Sequence, residues 1–213
     1  MKRLMLLMSV LIFGSFLYAA DKARLETLLP DVYLITDANY DNFNGNKFCS
    51  LHCGDVRWIM RASSELKSSK GRNYGPYNVD DWSFKTAWVE GNKNNGKGEY
   101  LTFFFPRTTF FARDLKPVNW DGFSVVNGDM RDAVSYNNNA RVKTFRVYLN
   151  GEPLFDAYLE DEMAIQTFSF AQSVMLKPDD VIKAEIREVY PGAKFKDAAV
   201  SQFMLLGAHS HDK

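Results

Sequence analysis

In Glu99–Phe105, EYLTFFF, polar and apolar residues alternate so that Leu101, Phe103 and Phe105 share one face, which is the period of a half-buried strand. From Arg141, RVKTFRVYL puts Phe145, Val147 and Leu149 on one side, with Lys143 in the same row near its start. Asn150-Gly151 then supplies a strong hairpin turn into EPLFDAYL. AIQTFSF, DVIKAEIREVY and AAVSQFMLL add three more runs, separated by SVMLKPD and YPGAKFKD. The one convincing helical piece is DKARLETLLP, residues 21–30, where Leu25, Leu28 and Leu29 share a face and Pro30 stops the pattern. Many short strands with polar turns and no long helix predict an all-β fold, an antiparallel sandwich preceded by a short N-terminal helix. There is no internal repeat, low-complexity tract or interdomain linker.

Composition narrows this picture. The 213 residues suit one domain of about 150–180 residues with a full core. Aromatic residues make up 15%, as expected where side chains pack on pleated surfaces. Lysine plus arginine and aspartate plus glutamate balance at 26 each, so nucleic-acid binding lacks its main driving force.

The first twenty residues read as a secretory signal: Lys2 and Arg3, an apolar run from Leu4 to Leu17, then Tyr18-Ala19-Ala20. An uncleaved anchor is the alternative. Cleavage near Ala19 or Ala20 removes two of the 26 bases and no acid, leaving 24 against 26. The mature chain is expected to be exported, to the periplasm or beyond, without stable membrane insertion. Cys49 and Cys53, in FCSLHC, are expected to pair in an oxidising compartment, a short loop worth about 2 kcal/mol. The competing reading is a metal site of Cys49, His52 and Cys53, for which the only other histidines are His209 and His211.

Catalytic signatures are sparse. GNKNNGKG, Gly91 to Gly98, has phosphate-loop spacing, but Gly98 stands where Ser or Thr should hold magnesium, and a strand follows instead of a helix. No G-x-S-x-G or H-E-x-x-H occurs. Glu90 and Glu99 are left as a distant glycosidase pair. What stands out is a set of aromatic and polar residues in predicted loops: Trp82, Trp88, Glu90, Tyr136, Asn139, Arg141, Tyr190 and Asp197. Aromatic faces stack on sugar C–H faces, while carboxylates, amides and guanidinium groups bond the hydroxyls. Taken singly, each of these reads first as structural, with Trp88 and Tyr190 capping the open end of the core.

Several stretches occur together in a telling order: ASSELKSSKGRNYGPYNVDDWSFKTAWVEG, GKGEYLTF, SVVNGD, YNNNARVKTFRVYLNG and IREVYPGAKFKDAAVSQ. Over residues 58–206 the chain resembles the discoidin-like, F5/8 type C-like domain of exported bacterial proteins, found also beside streptococcal NAD-glycohydrolase toxins as a glycan-binding or translocation domain. The resemblance implies an eight-stranded jelly roll of galactose-binding type whose end loops hold the ligand, with residues 21–57 as an extension and 207–213 as a tail. It brings no counterpart of the toxin's catalytic domain. TAWVEG would then be a binding loop, with Trp88 offering an apolar face and Glu90 either accepting sugar hydroxyls or pairing with Arg141. The resemblance also implies a structural calcium site at Asp81, Thr86 and Gln202. Gln202 replaces a usual glutamate, so that site is expected to be weak or absent. Asp129 replaces a usual aromatic and Ala198 a usual threonine. The expected function is a secreted, non-catalytic carbohydrate-binding module for a glycan or glycoconjugate. A protein-binding module for a host-matrix or envelope partner is the alternative, and a glycan-cleaving enzyme a distant one.

Overall fold

The computed structural model describes residues 25–35, 51, 56–69, 71–107 and 117–207. The signal segment, Cys49, His52, Cys53 and the tail histidines lie outside the described residues. The strands are β1 (Glu26–Leu28), β2 (Asp31–Leu34), β3 (Ile59–Ala62), β4 (Trp88–Val89), β5 (Tyr100–Phe104), β6 (Val118–Asn127), β7 (Ala140–Leu149), β8 (Glu152–Tyr158), β9 (Ala164–Leu176), β10 (Val181–Tyr190) and β11 (Ala198–Leu206). Hydrogen bonds link them in the order β2-β9-β6-β11-β7-β10-β5-β3, with β4 added to β11, β8 to β7 and β1 to β8.

The join between β11 and β7 is short, only Ala198–Ala140 and Ala199–Arg141. Away from it the ladder divides into two faces that pack together as a sandwich. Phe123 of β6 stacks 5.9 Å from Phe155 of β8. Phe203 of β11 lies 5.2 Å from Phe103 of β5 and 5.7 Å from Phe145 of β7. Leu101, Phe103 and Phe105 are all buried on one face, as their alternation requires. Asn150 and Gly151 both take positive φ, 53° and 89°, the backbone of a tight hairpin whose twist matches its strands.

Three sequence expectations need correction. Residues 26–28 form no helix; β1 pairs in parallel with Phe155–Ala157 of β8, and β2 pairs with β9. A ten-residue stretch ending at Pro30 is too short to repay helix nucleation unaided, whereas a sheet edge supplies partners at once. Among the described residues the count is eleven strands, and the sheet is mixed because β1–β8 and β11–β7 run parallel. SVML, expected as a separator, continues β9 along β6 to the Val118–Leu176 pair. The helix lies elsewhere. Ala133–Asn138 is capped by Asp132, whose side chain accepts from the Ser135 amide at 2.6 Å.

The ends of β6, β8 and β10 and the starts of β7, β9 and β11 gather at one end of the sandwich, as the pairs Arg141–Tyr190, Thr144–Tyr158 and Val126–Ile165 show. The helix, called α1 below, sits there too.

Candidate functional site

Thr86–Gly91 is a brace rather than a loop. Trp88 is fully buried in the main core, and its indole N–H donates to the Ser64 carbonyl at 2.9 Å. Its partner in β11 is Val200. This corrects the expectation that it offers a face to ligand: the residue with the largest apolar surface in the motif is drawn into the sandwich. Glu90 is 0% exposed and is corrected likewise. It accepts from the backbone N–H groups of Asn92 at 2.7 Å and Ala198 at 3.1 Å, not from Arg141. Burial raises its pKa, an effect opposed by those two amides and reinforced by Asp197 and Glu99. Any side chain at Gly91 would strike the Glu65 carbonyl, so glycine is required where the two segments cross. Glu99 is also buried. Burial alone would raise its pKa, but bonds from Ser63, Ser64 and Asn92 together hold it lower. Both carboxylates are committed to neighbouring donors, so as placed they do not flank a sugar bond.

Arg141, Tyr136, Asn139 and Tyr190 do come together at the loop end, but as a clamp. The Arg141 guanidinium bonds both oxygens of Asp161 and also the carbonyls of Asn139 and Pro191 at 2.9 and 3.2 Å. The hydrogen bond to Asp161 comes first in raising the pKa of Arg141. Tyr136, buried beneath Arg141, donates to Asp161 at 3.3 Å; burial is the main reason its pKa rises. The Tyr190 hydroxyl lies 2.9 Å from both the Leu159 carbonyl and the Tyr158 hydroxyl, and burial again leads its upward shift. Asn139 closes α1 through Ser135. These groups spend their hydrogen-bonding capacity on each other, which leaves little for a ligand.

The surface they hold up is more open. Backbone N–H groups of Ala193, Lys194 and Phe195 bond to Asn137 and Asn138 at 2.8–3.1 Å. That pins the loop after β10 onto the end of α1. Gly192 is obligatory there, because a Cβ would collide with the Asn138 and Phe195 carbonyls. Phe195 stands on this loop with 44% of its surface exposed. On one side of it lies a cleft of about 480 Å³ lined by Arg72, Tyr74, Arg131, Asn139 and Asp197, among others. On the other lies a cleft of about 600 Å³ that includes Lys93, Asn94, Asn95, Pro191 and Lys196. Arg72, Tyr74, Asp129 and Arg131 also border a smaller hollow of about 200 Å³ reaching Lys85 and Thr86. Asp129 pairs with Arg131. Asp197 is half-buried, and burial raises its pKa. Trp82, exposed with φ 61°, lines none of these clefts.

Asp197 and Asn139 are thus the ligand candidates of the sequence that reach the clefts beside Phe195, while Thr86 borders the smaller hollow. Arg72, Tyr74, Lys93, Arg131 and Phe195 were not among them. A signal for Phe195 exists in AKFKD: a phenylalanine between lysines just past a Pro-Gly turn has no apolar neighbour to pack with.

The calcium residues fit a tight site poorly. The Asp81 carboxylate accepts from the Ser83 amide at 3.0 Å and the Thr86 hydroxyl at 2.7 Å. Gln202 is buried with neither amide atom hydrogen-bonded. One carboxylate, one hydroxyl and one neutral amide fall short of the charge and ligand count calcium demands. Among the described residues no group of three or more His, Cys, Asp or Glu could hold a metal.

The profile of the family described as NAD glycohydrolase translocation F5/8 type C domain matches residues 51–206. No curated protein matches the chain. Among solved structures, the CBM32-1 and CBM32-2 domains of Clostridium perfringens ZmpB superpose with a TM-score of 0.57 at 11% identity, covering 89% of this chain and 43% of that one. The same domains in complex with GalNAc give 0.56, again at 11% identity, covering 89% and 42%. The chain spans less than half the length of these structures, and the likeness is one of fold.

Proposed function

The chain belongs to the NAD glycohydrolase translocation F5/8 type C domain family, and from that premise we propose that it is an exported, non-catalytic carbohydrate-binding module. The site is the loop end around Phe195, not TAWVEG. The observation that carries this reading is Phe195 itself, an exposed aromatic ring on a loop pinned to α1, between two clefts lined by amides and cationic side chains. Such a ring can stack on a sugar face while neighbouring donors take the hydroxyls. A similar pair of CBM32 domains described with GalNAc supports the ligand class.

The test is a glycan array probed with the purified protein and with Phe195→Ala. The exposed ring packs little core, so the variant should keep the parent melting temperature. It should weaken sugar binding about tenfold, the loss expected for one aromatic contact of roughly 1.4 kcal/mol. Absence of any glycan signal from the folded parent would sink the reading.

A further inference from the structure

The charge balance of the whole chain hides an asymmetry at the loop end. There the acids are largely spent internally: Asp129 on Arg131, Asp161 on Arg141, Asp132 on the start of α1 and Glu90 on two backbone amides. Arg131 and Arg141 are spent with them, but two lysines are not. Lys93 and Lys196 are exposed, and neither pairs with an acid among the described residues. Both line the 600 Å³ cleft beside Phe195 together with the amides of Asn94 and Asn95, and no carboxylate lines it. The opposite cleft is different, since Asp197 and Asp129 lie along it with Arg72 and Arg131.

We propose that the Lys93–Lys196 cleft is an anion subsite for an acidic glycan, taking the carboxylate or sulfate of a charged sugar whose neighbouring ring stacks on Phe195. This rests on the glycan-binding reading and adds the ligand's charge. Two ammonium groups facing one cleft without an internal counter-charge repel each other, and an arriving anion relieves that repulsion while gaining charge-assisted hydrogen bonds. Asn94 and Asn95 add neutral donors, so carboxylate and sulfate oxygens beyond those met by the lysines have partners. The volume lies within the range of small-ligand sites, about 300–1,000 Å³. Nothing in this cleft favours a neutral sugar over a charged one.

The experiment measures affinity for three probes: a uronic-acid oligosaccharide, its carboxyl-reduced neutral derivative, and a sulfated oligosaccharide. Each is titrated into the parent and into Lys93→Ala/Lys196→Ala, with Lys93→Arg/Lys196→Arg as the charge-preserving control. The parent should bind at least one acidic probe about tenfold or more tightly than the neutral one, a gap expected of charge-assisted bonds. Raising salt from about 0.1 M to about 1 M should shrink that preference, as the screening length falls from about 10 to about 3 Å. The alanine pair should erase the preference with melting temperature unchanged, weakening the acidic probes far more than the neutral one, and the arginine pair should keep it. Which acidic probe wins decides between carboxylate and sulfate. Equal affinity for acidic and neutral sugars would overturn the anion subsite and leave the glycan reading standing. So would a preference that survives in the alanine pair. Equal, equally salt-sensitive binding to DNA or anionic vesicles would show generic attraction and overturn the subsite too. Binding to no sugar at all would remove both readings together.

Discussion

Arg141 and Asp161 meet through two parallel bonds, Nε to Oδ1 at 2.8 Å and Nη2 to Oδ2 at 2.7 Å, with the guanidinium carbon 5.1 Å from the centre of the Tyr136 ring. The partners are unequally buried: 9% of the Arg141 side chain is exposed against 36% of Asp161. Removing Asp161 strands a buried cation, whereas removing Arg141 leaves a carboxylate that water reaches. Asp161→Ala should therefore be the worse of the two, costing about 3 kcal/mol in urea unfolding. Equal losses for Asp161→Ala and Arg141→Met would contradict this asymmetry.

Glu90 makes a separate claim about the same end. Its carboxylate satisfies two backbone amides, that of Asn92 and the buried one of Ala198. Glu90→Ala would leave both without partners, at about 3 kcal/mol in total. Once folded, the variant should bind glycan like the parent. Intact stability with lost binding would restore Glu90 as a ligand contact.

Much of the sandwich could be read in advance, and the reasons separate cleanly. Leu101, Phe103 and Phe105 were legible because strand alternation is local, and Asn150-Gly151 because its turn needs two left-handed residues. Residues 26–28 misled because the leucine spacing is local while the partner that decides, β8, is over a hundred residues away. Trp88 misled for a similar reason. Its local sequence fits a ligand-facing ring as well as a plug for the core, and Ser64 and Val200, which enclose it, come from distant positions. Arg141 and Tyr190 were correctly gathered at one end but assigned to the ligand, since nothing along the chain pairs Arg141 with Asp161 or Tyr190 with Leu159.

Asp197 links the site to pH. Burial raises its pKa above the ordinary 3.8, so the folded state favours its neutral form. The stability it contributes is fully present below pH 3.8 and is lost as pH rises through the folded value. Asp197→Asn should therefore melt above the parent at about pH 7, and the two should converge in acid. A variant less stable than the parent at neutral pH would mean that the ionised carboxylate has a favourable partner.

Calcium should matter little. With the Asp81 carboxylate already bonded to Ser83 and Thr86 and a neutral amide at Gln202, adding chelator should shift the melting temperature by no more than about 2 °C. A larger drop, reversed by calcium but not by magnesium, would show a competent cage.

The two short strands near the N-terminus act as a hem. β1 finishes the border at β8, and β2 finishes the border at β9, so nine residues of chain seal margins on both halves of the sandwich. The family profile begins later, at residue 51. A fragment cut to that span would leave the backbone groups of β8 and β9 bare along their outer rims, an invitation to strand-to-strand growth. Such a fragment should polymerise with time and concentration in light scattering, while a chain that keeps residues 25–35 should resist. Where the profile stops is therefore a poor guide to where the chain can be cut.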